Sequence, residues 1–218
     1  MKSSQAERPS SCCATLRRAF FGSLIGLFLI VITAWVARDA LLRGAAWWWI
    51  VADQPEAADV VAIFGGSPEE RPIAAAAYYR QGLVKRIVIS NSHVTEIQRR
   101  GVVPPESVQT RMVLMKLGVP EEAIAFFGED LASTYDEALA LKLWAKQEKV
   151  QSIIAPTEIF TTRRASWVLR HVLGPEVKII VPALEPSQYG ADSWWRNHVG
   201  IVDFQNEVLK YVFYRLTY

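Results

Sequence analysis

Cysteine is almost absent from this chain, and its two residues, Cys12 and Cys13, stand side by side near the N-terminus. Everything beyond them is therefore without a disulfide, a thiolate metal site or a cysteine nucleophile. Both cysteines precede the apolar run that follows, so neither has the placement of a lipid-modified one. Histidine is equally scarce: three scattered residues, with no clustered carboxylates, give no metal-ligand spacing, and no metal is expected. No glycine pattern of the GxGxxG kind follows a strand, so a nicotinamide cofactor loses its main support and none is expected. Blocks of basic residues are missing too. Residues 44–218 carry 18 basic and 20 acidic side chains, a slight negative excess that gives no electrostatic reason to bind nucleic acid.

Charge is also absent from residues 19–36 (AFFGSLIGLFLIVITAWV), eighteen in a row bounded by Arg17-Arg18 and Arg38. As a helix this stretch rises about 27 Å, close to the thickness of a hydrocarbon core. A cleaved signal peptide is disfavoured. Cleavage after Ala37 would put Trp35 where a small residue is needed, cleavage after Ala40 would put Arg38 there, and Gly44-Ala45-Ala46 comes late. The expected organisation is a cytoplasmic segment at 1–18, a transmembrane anchor at 19–37, a linker at 38–58 and a globular domain at 59–218. Four basic residues precede the span and two follow closely, which places the N-terminus in the cytoplasm and the domain outside. Trp47, Trp48 and Trp49 fit either a membrane interface or packing beneath the first strand.

Beyond Gln54-Pro55-Glu56, strand and helix patterns alternate. Strands are expected at 59–64, 85–90, 124–127, 152–155 and 177–181, and helices at 70–81, 105–117, 134–147 and 162–173. Short connections between them give an α/β, Rossmann-like, mostly parallel sheet of about five strands with helices on both faces. A last helix near 196–216 carries Val199, Val202, Leu209, Val212 and Leu216 on one stripe, expected to dock on the sheet.

In such sheets ligands bind at the carboxyl ends of the strands. After the first strand come Gly65, Gly66 and then Arg71, a turn that lets an anion approach the backbone or a plain strand-to-helix connection. After the second come Asn91, Ser92 and His93, where a lone loop histidine is more often solvated than catalytic. Ser133 and Thr134 open a helix, and the spacing of Thr134 and Glu137 is that of a capping box, which would explain both without function. Thr157 follows the fourth strand, and Arg163-Arg164 then open a helix against its dipole. Guanidinium forks hold phosphate or carboxylate, so Arg71, Arg163 and Arg164 are expected to clamp an anion over Gly65-Gly66, one of the pair turning to solvent. Glu106 and Glu137 are the candidate general bases, if burial raises their pKa.

The ordered set resembles the SanA/ElyC/YdcF family of bacterial envelope proteins, built on a domain of unknown function. It comprises Trp49 to Pro55, Gly65-Gly66, Glu70-Arg71, Gly82, Glu106, Gly118-Val119-Pro120, Ser133-Thr134, Glu137-Ala138, Thr157, Arg163-Arg164-Ala165, Trp194-Trp195-Arg196, Glu207 and Lys210. The likeness runs from about residue 47 to the C-terminus. It implies a Rossmann-like fold and a role in envelope or cell-wall biogenesis through polyprenyl-phosphate carriers. Two positions depart from the family: Thr161 stands where a histidine is usual, and Ser90-Asn91-Ser92 replaces a serine-glycine pair. Threonine does not titrate near neutral pH, so acid-base chemistry from that position is lost or passes to His93. A non-catalytic scaffold or binding module is the main alternative. A nucleotide-dependent transferase would rest on fold alone.

Overall fold

The computed structural model describes residues 11–218, with side chains from residue 16 onward. Residues 1–10 of the expected cytoplasmic segment lie outside the described residues. The chain divides into two compact units, meeting at Ala45 and Ala46. In the first, helix α1 (Ser11–Val36) contains a stretch, Leu16–Val36, long and apolar enough to cross a membrane, with none of its most apolar window buried in protein.

Helix α2 (Arg38–Trp49) occupies much of what composition marks as linker. Its residues are mostly alanine, leucine and arginine, all good helix formers, so no punctuation separates it from the span. The second unit begins with its last turn at Ala46, earlier than the expected Asp59. Trp49 settles the packing question: it is buried, lies edge-on to Phe204 and Tyr211, and its indole N–H donates to the Phe160 carbonyl at 2.8 Å. Trp47 and Trp48 remain exposed.

The second unit runs β1 (Val60–Ile63), α3 (Glu70–Arg80), β2 (Arg86–Ser92), a short α4 (Glu96–Arg99), α5 (Glu106–Lys116) and β3 (Ile124–Leu131). It continues through α6 (Thr134–Glu148), β4 (Ser152–Ile154), β5 (Thr157–Glu158), α7 (Thr162–Leu173), β6 (Lys178–Ile180), β7 (Ala183–Leu184) and α8 (His198–Thr217). Five strands form one parallel sheet in the order β3-β2-β1-β4-β6, and β5 with β7 makes a small parallel pair beyond its end. The chain steps outward from β1 to β3, then returns to place β4 against β1. That reversal opens a crevice at the carboxyl ends of β1 and β4.

Alternation along the strands feeds two cores. Val60 and Ala62 join Leu141 of α6 and Val168 and Leu169 of α7 on one face, while Val61 and Ile63 join Ala75 and Ala76 of α3 and Leu114 of α5 on the other. Each buried Val, Leu or Ile side chain among them contributes roughly 1.5–3 kcal/mol. Asp59 fixes the start of the β1–β4 pairing: its carboxylate accepts from the backbone N–H groups of Gln151 and Ser152 at 2.8 and 2.9 Å. The Gln151 bond leads the effects that hold its pKa below the ordinary value, against an opposing effect of burial that the Ser152 bonds help to outweigh.

Helix α8 does not dock as its sequence stripe implies. Val202, Leu209, Val212 and Leu216 face outward, and the helix packs inward through Gly200, Glu207 and Tyr214. An ion pair and aromatic contacts, rather than the aliphatic stripe, hold it.

Candidate functional site

Two clefts, of about 400 and 480 Å³, open at the carboxyl ends of the strands and share Gly65, Gly66, Thr134, Arg164 and Lys210. One arm runs past Arg71, Glu158, Tyr189 and Asp203, and the other past Ser92, His93, Glu106, Ser133 and Glu137. A small third hollow places Gly65, Thr157 and Arg164 on one wall. The proposed site residues thus converge, with two exceptions. The Asn91 amide turns to the Gly128 carbonyl at 3.0 Å. Arg163 grips the end of α2: its guanidinium donates to the carbonyls of Trp48 and Trp49 and lies over both indoles. Arg163 therefore answers the dipole of α2 rather than a ligand over Gly65-Gly66. The three-arginine clamp is a two-arginine arrangement.

The glycine turn is already occupied by carboxylates. Gly65 N–H donates to Glu137 Oε1 at 2.7 Å, and Gly66 N–H donates to Glu106 Oε1 at 2.6 Å. Glycine is required at both positions for different reasons. A Cβ on Gly65 would lie 2.8 Å from the Ser92 Cβ, and Gly66 adopts φ +99°. Glu137 is free to reach the turn because it does not cap its helix. Ser133 is the N-cap, its hydroxyl accepting from Asp136 N–H at 3.2 Å and donating to the Asp136 carboxylate at 2.7 Å. The overlapping pair Ser133 and Asp136 takes the capping role, which overturns the Thr134–Glu137 reading.

Burial raises the pKa of Glu137, opposed first by the Gly65 N–H bond, then by Ser90 and Arg71, and reinforced by nearby Glu106. Such a carboxyl is suited to taking or giving a proton nearer neutrality than an exposed one. His93 sits at the rim, half exposed, with Nδ1 2.8 Å from Asp130. Thr161, at the position where the family resemblance leads one to expect a histidine, lines one cleft and the small hollow.

The two buried arginines differ in what they can still offer. Arg71 sends Nε and Nη2 to Glu158 at 3.0 and 2.5 Å, and Nη1 to the carbonyls of Phe64 and Gly65 at 3.0 and 2.6 Å. Those bonds engage four of the five guanidinium N–H donors, so Arg71 builds the turn. Burial pulls the Glu158 pKa up, but the charge and hydrogen bonds of Arg71 outweigh it and the net shift is downward. Arg164 donates through Nε and Nη2 to Glu207 at 2.7 and 2.9 Å and through Nη1 to Thr134 Oγ1 at 2.7 Å, leaving two donors. Lys210 sits 3.2 Å from Glu207 with its side chain 56% exposed.

Six carboxylates line the two clefts, namely Glu70, Glu106, Glu137, Glu158, Asp203 and Glu207, against three cations, Arg71, Arg164 and Lys210. A highly charged polyanion is therefore disfavoured, and one anionic group beside Arg164, Lys210 and the start of α6 fits better. The carboxylates supply acceptors for ligand hydroxyls. Glu207 and Lys210 were visible only as part of the family-like set, and the Tyr189–Asp203 hydrogen bond of 2.6 Å had no sequence signal. Burial pushes the Tyr189 hydroxyl well above its ordinary pKa, so it stays protonated and donates. Among the described residues no His, Cys, Asp and Glu side chains group as they would around a metal ion. No protein-family model matches this sequence, and no curated protein matches it significantly.

Proposed function

We propose that this is a single-pass envelope protein whose extracytoplasmic domain binds a phosphorylated, lipid-linked precursor of cell-wall or peptidoglycan biogenesis. One observation carries the reading: Arg164, Lys210, Thr134 and the start of α6 meet the Gly65-Gly66 turn where two clefts join. A single phosphate there would take the remaining Arg164 donors, the Lys210 ammonium and the N-terminal dipole of α6. Hydroxyl groups of the same ligand would donate to the carboxylates along either arm. Glu137, buried and raised in pKa, is the group best suited to move a proton, with Glu106 on the neighbouring amide. The basic flank ahead of the apolar helix supports the outward orientation. The ordered family-like motifs support the envelope role.

A binding module without catalysis is the second reading. It is favoured by Thr161 in the histidine position and by the ion pairs that already engage both buried arginines. Native mass spectrometry of the full chain extracted from its membrane tests the proposal. The expected result is a co-purifying species that releases phosphate on fragmentation and is lost from Thr134→Val and Lys210→Met proteins. A species retained equally by those variants, or no bound phosphate compound at all, overturns it.

A further inference from the structure

Helix α8 presents two unlike faces. The inner one is specific: Trp49 packs edge-on to Phe204 and Tyr211, Glu207 is buried with Arg164, and a Cβ on Gly200 would come within 2.5 Å of the Trp194 carbonyl. Val202, Leu209, Val212, Phe213 and Leu216 turn the other way, with exposures of 50, 68, 49, 57 and 83%. Steps of about 100° per residue put them on one side of the helix. A continuous apolar stripe held in water is unfavourable and marks a contact surface.

Three further observations identify what covers it. The charged side chains exposed on α8 from Gln205 onward are Lys210 and Arg215, both basic, while Glu207 is turned inward. The only residue between α1, with its candidate span Leu16–Val36, and α2 is Ala37. The chain from Ala37 to Trp49, which packs against α8, is 13 residues long and spans at most about 45 Å. A chain anchored by α1 therefore keeps α8 within reach of the same bilayer. A two-fold contact with a second copy would bury the stripe as well. It would also bring Lys210 and Arg215 toward their own equivalents, whereas anionic headgroups complement them.

We infer that the outer face of α8 is a membrane-docking surface, its apolar stripe seated at the headgroup–acyl boundary of the bilayer that α1 crosses. Lys210 and Arg215 then lie among the lipid phosphates. Lys210 and Phe213 also line the cleft arm that holds Glu106 and Glu137. Its mouth would open at headgroup level, so an amphiphile could insert its polar head while its chain stays in the lipid. That route rests on the function proposed above, but the docking does not.

The test uses the full chain in vesicles of phosphatidylcholine with a minority of phosphatidylglycerol, some lipids carrying a nitroxide high on the acyl chain. In a Cys12→Ser, Cys13→Ser background, an environment-sensitive fluorophore is placed through Leu209→Cys, Leu216→Cys, Ile73→Cys or Met112→Cys. All four positions are exposed in the domain, the last two on α3 and α5. The expected result is several-fold stronger lipid quenching at 209 and 216 than at 73 and 112, weakened when the anionic lipid is omitted. Equal quenching at all four overturns the inference. So does a blue shift at 209 and 216 that nitroxide lipid leaves unquenched and that fades as protein is diluted in lipid, which would mean a second copy. No precursor is present in this measurement, so its failure leaves the mass-spectrometric result standing, and the converse also holds.

Discussion

Arg164 and Glu207, from α7 and α8, meet as a two-pronged pair with N–O distances of 2.7 and 2.9 Å, both side chains 7% exposed. This pair closes the cleft and holds the last helix at once. Removing one partner strands a buried charge, so Arg164→Ala is expected to cost about 3–5 kcal/mol of stability, read as a fall in melting temperature. The double change Arg164→Met with Glu207→Leu should recover most of that loss, because an apolar pair of similar volume can replace a buried ion pair. Phosphate-ligand retention should vanish in both proteins. Retention in the double variant would remove Arg164 from the binding site.

Glu137 makes a pH prediction with a definite sign. Its folded-state pKa is raised by burial, so the folded domain keeps this proton at pH values where the unfolded chain has released it. The contribution of Glu137 to stability is therefore most favourable below the ordinary carboxylate pKa. It declines as pH rises from there through the raised folded value, and stays unfavourable above it. Glu137→Gln keeps an oxygen for Gly65 N–H and removes that charge cost. Melting scans across acidic to neutral pH should give a flatter profile, with an equal or higher melting temperature at neutrality. An unchanged slope would contradict the raised pKa.

Gly65→Ala tests the tightness of the turn. The new Cβ would meet Ser92 Cβ at 2.8 Å and Oγ at 3.0 Å, and overpacking of this kind costs about 1–3 kcal/mol. Adding Ser92→Gly should recover part of the loss by removing both contacts. Denaturant unfolding of the single and double variants measures the difference.

The direction of the anchor is open to a simple assay. Alkaline phosphatase fused after Tyr218 should be active, and a reporter that works only in the cytoplasm should be silent there. The opposite pattern would reverse the proposed orientation.

The parallel sheet and the carboxyl-edge cluster were legible in the sequence, though not the strand order, because apolar runs such as 59–64 and 85–90 alternate with punctuated helices, and parallel sheets bring their strand ends together. The capping assignment was not. Ser133 with Asp136 and Thr134 with Glu137 have the same spacing, and only the chain's exit from β3 decides which pair closes the helix. The partners of the arginines were equally hidden, since Arg71 meets a carboxylate 87 residues on and Arg164 one 43 residues on. Two adjacent arginines at a helix start do signal an unusual electrostatic need. Here a helix end meets one and a buried glutamate the other, so the signal was sound and its first interpretation too narrow. The face of α8 was misjudged because an amphipathic pattern reports a contrast between two sides and not which side lies inward.

Helix α7 joins two jobs within a single turn. Thr162 accepts a hydrogen bond from Val51 N–H and Arg163 holds the final carbonyls of α2, while the next residue, Arg164, reaches into the cleft. The residues that fasten the end of α2 thus stand one position away from a side chain that lines the cleft. The beginning of α7 acts mechanically as a bracket, fixing the end of α2 and one wall of the cleft with consecutive residues.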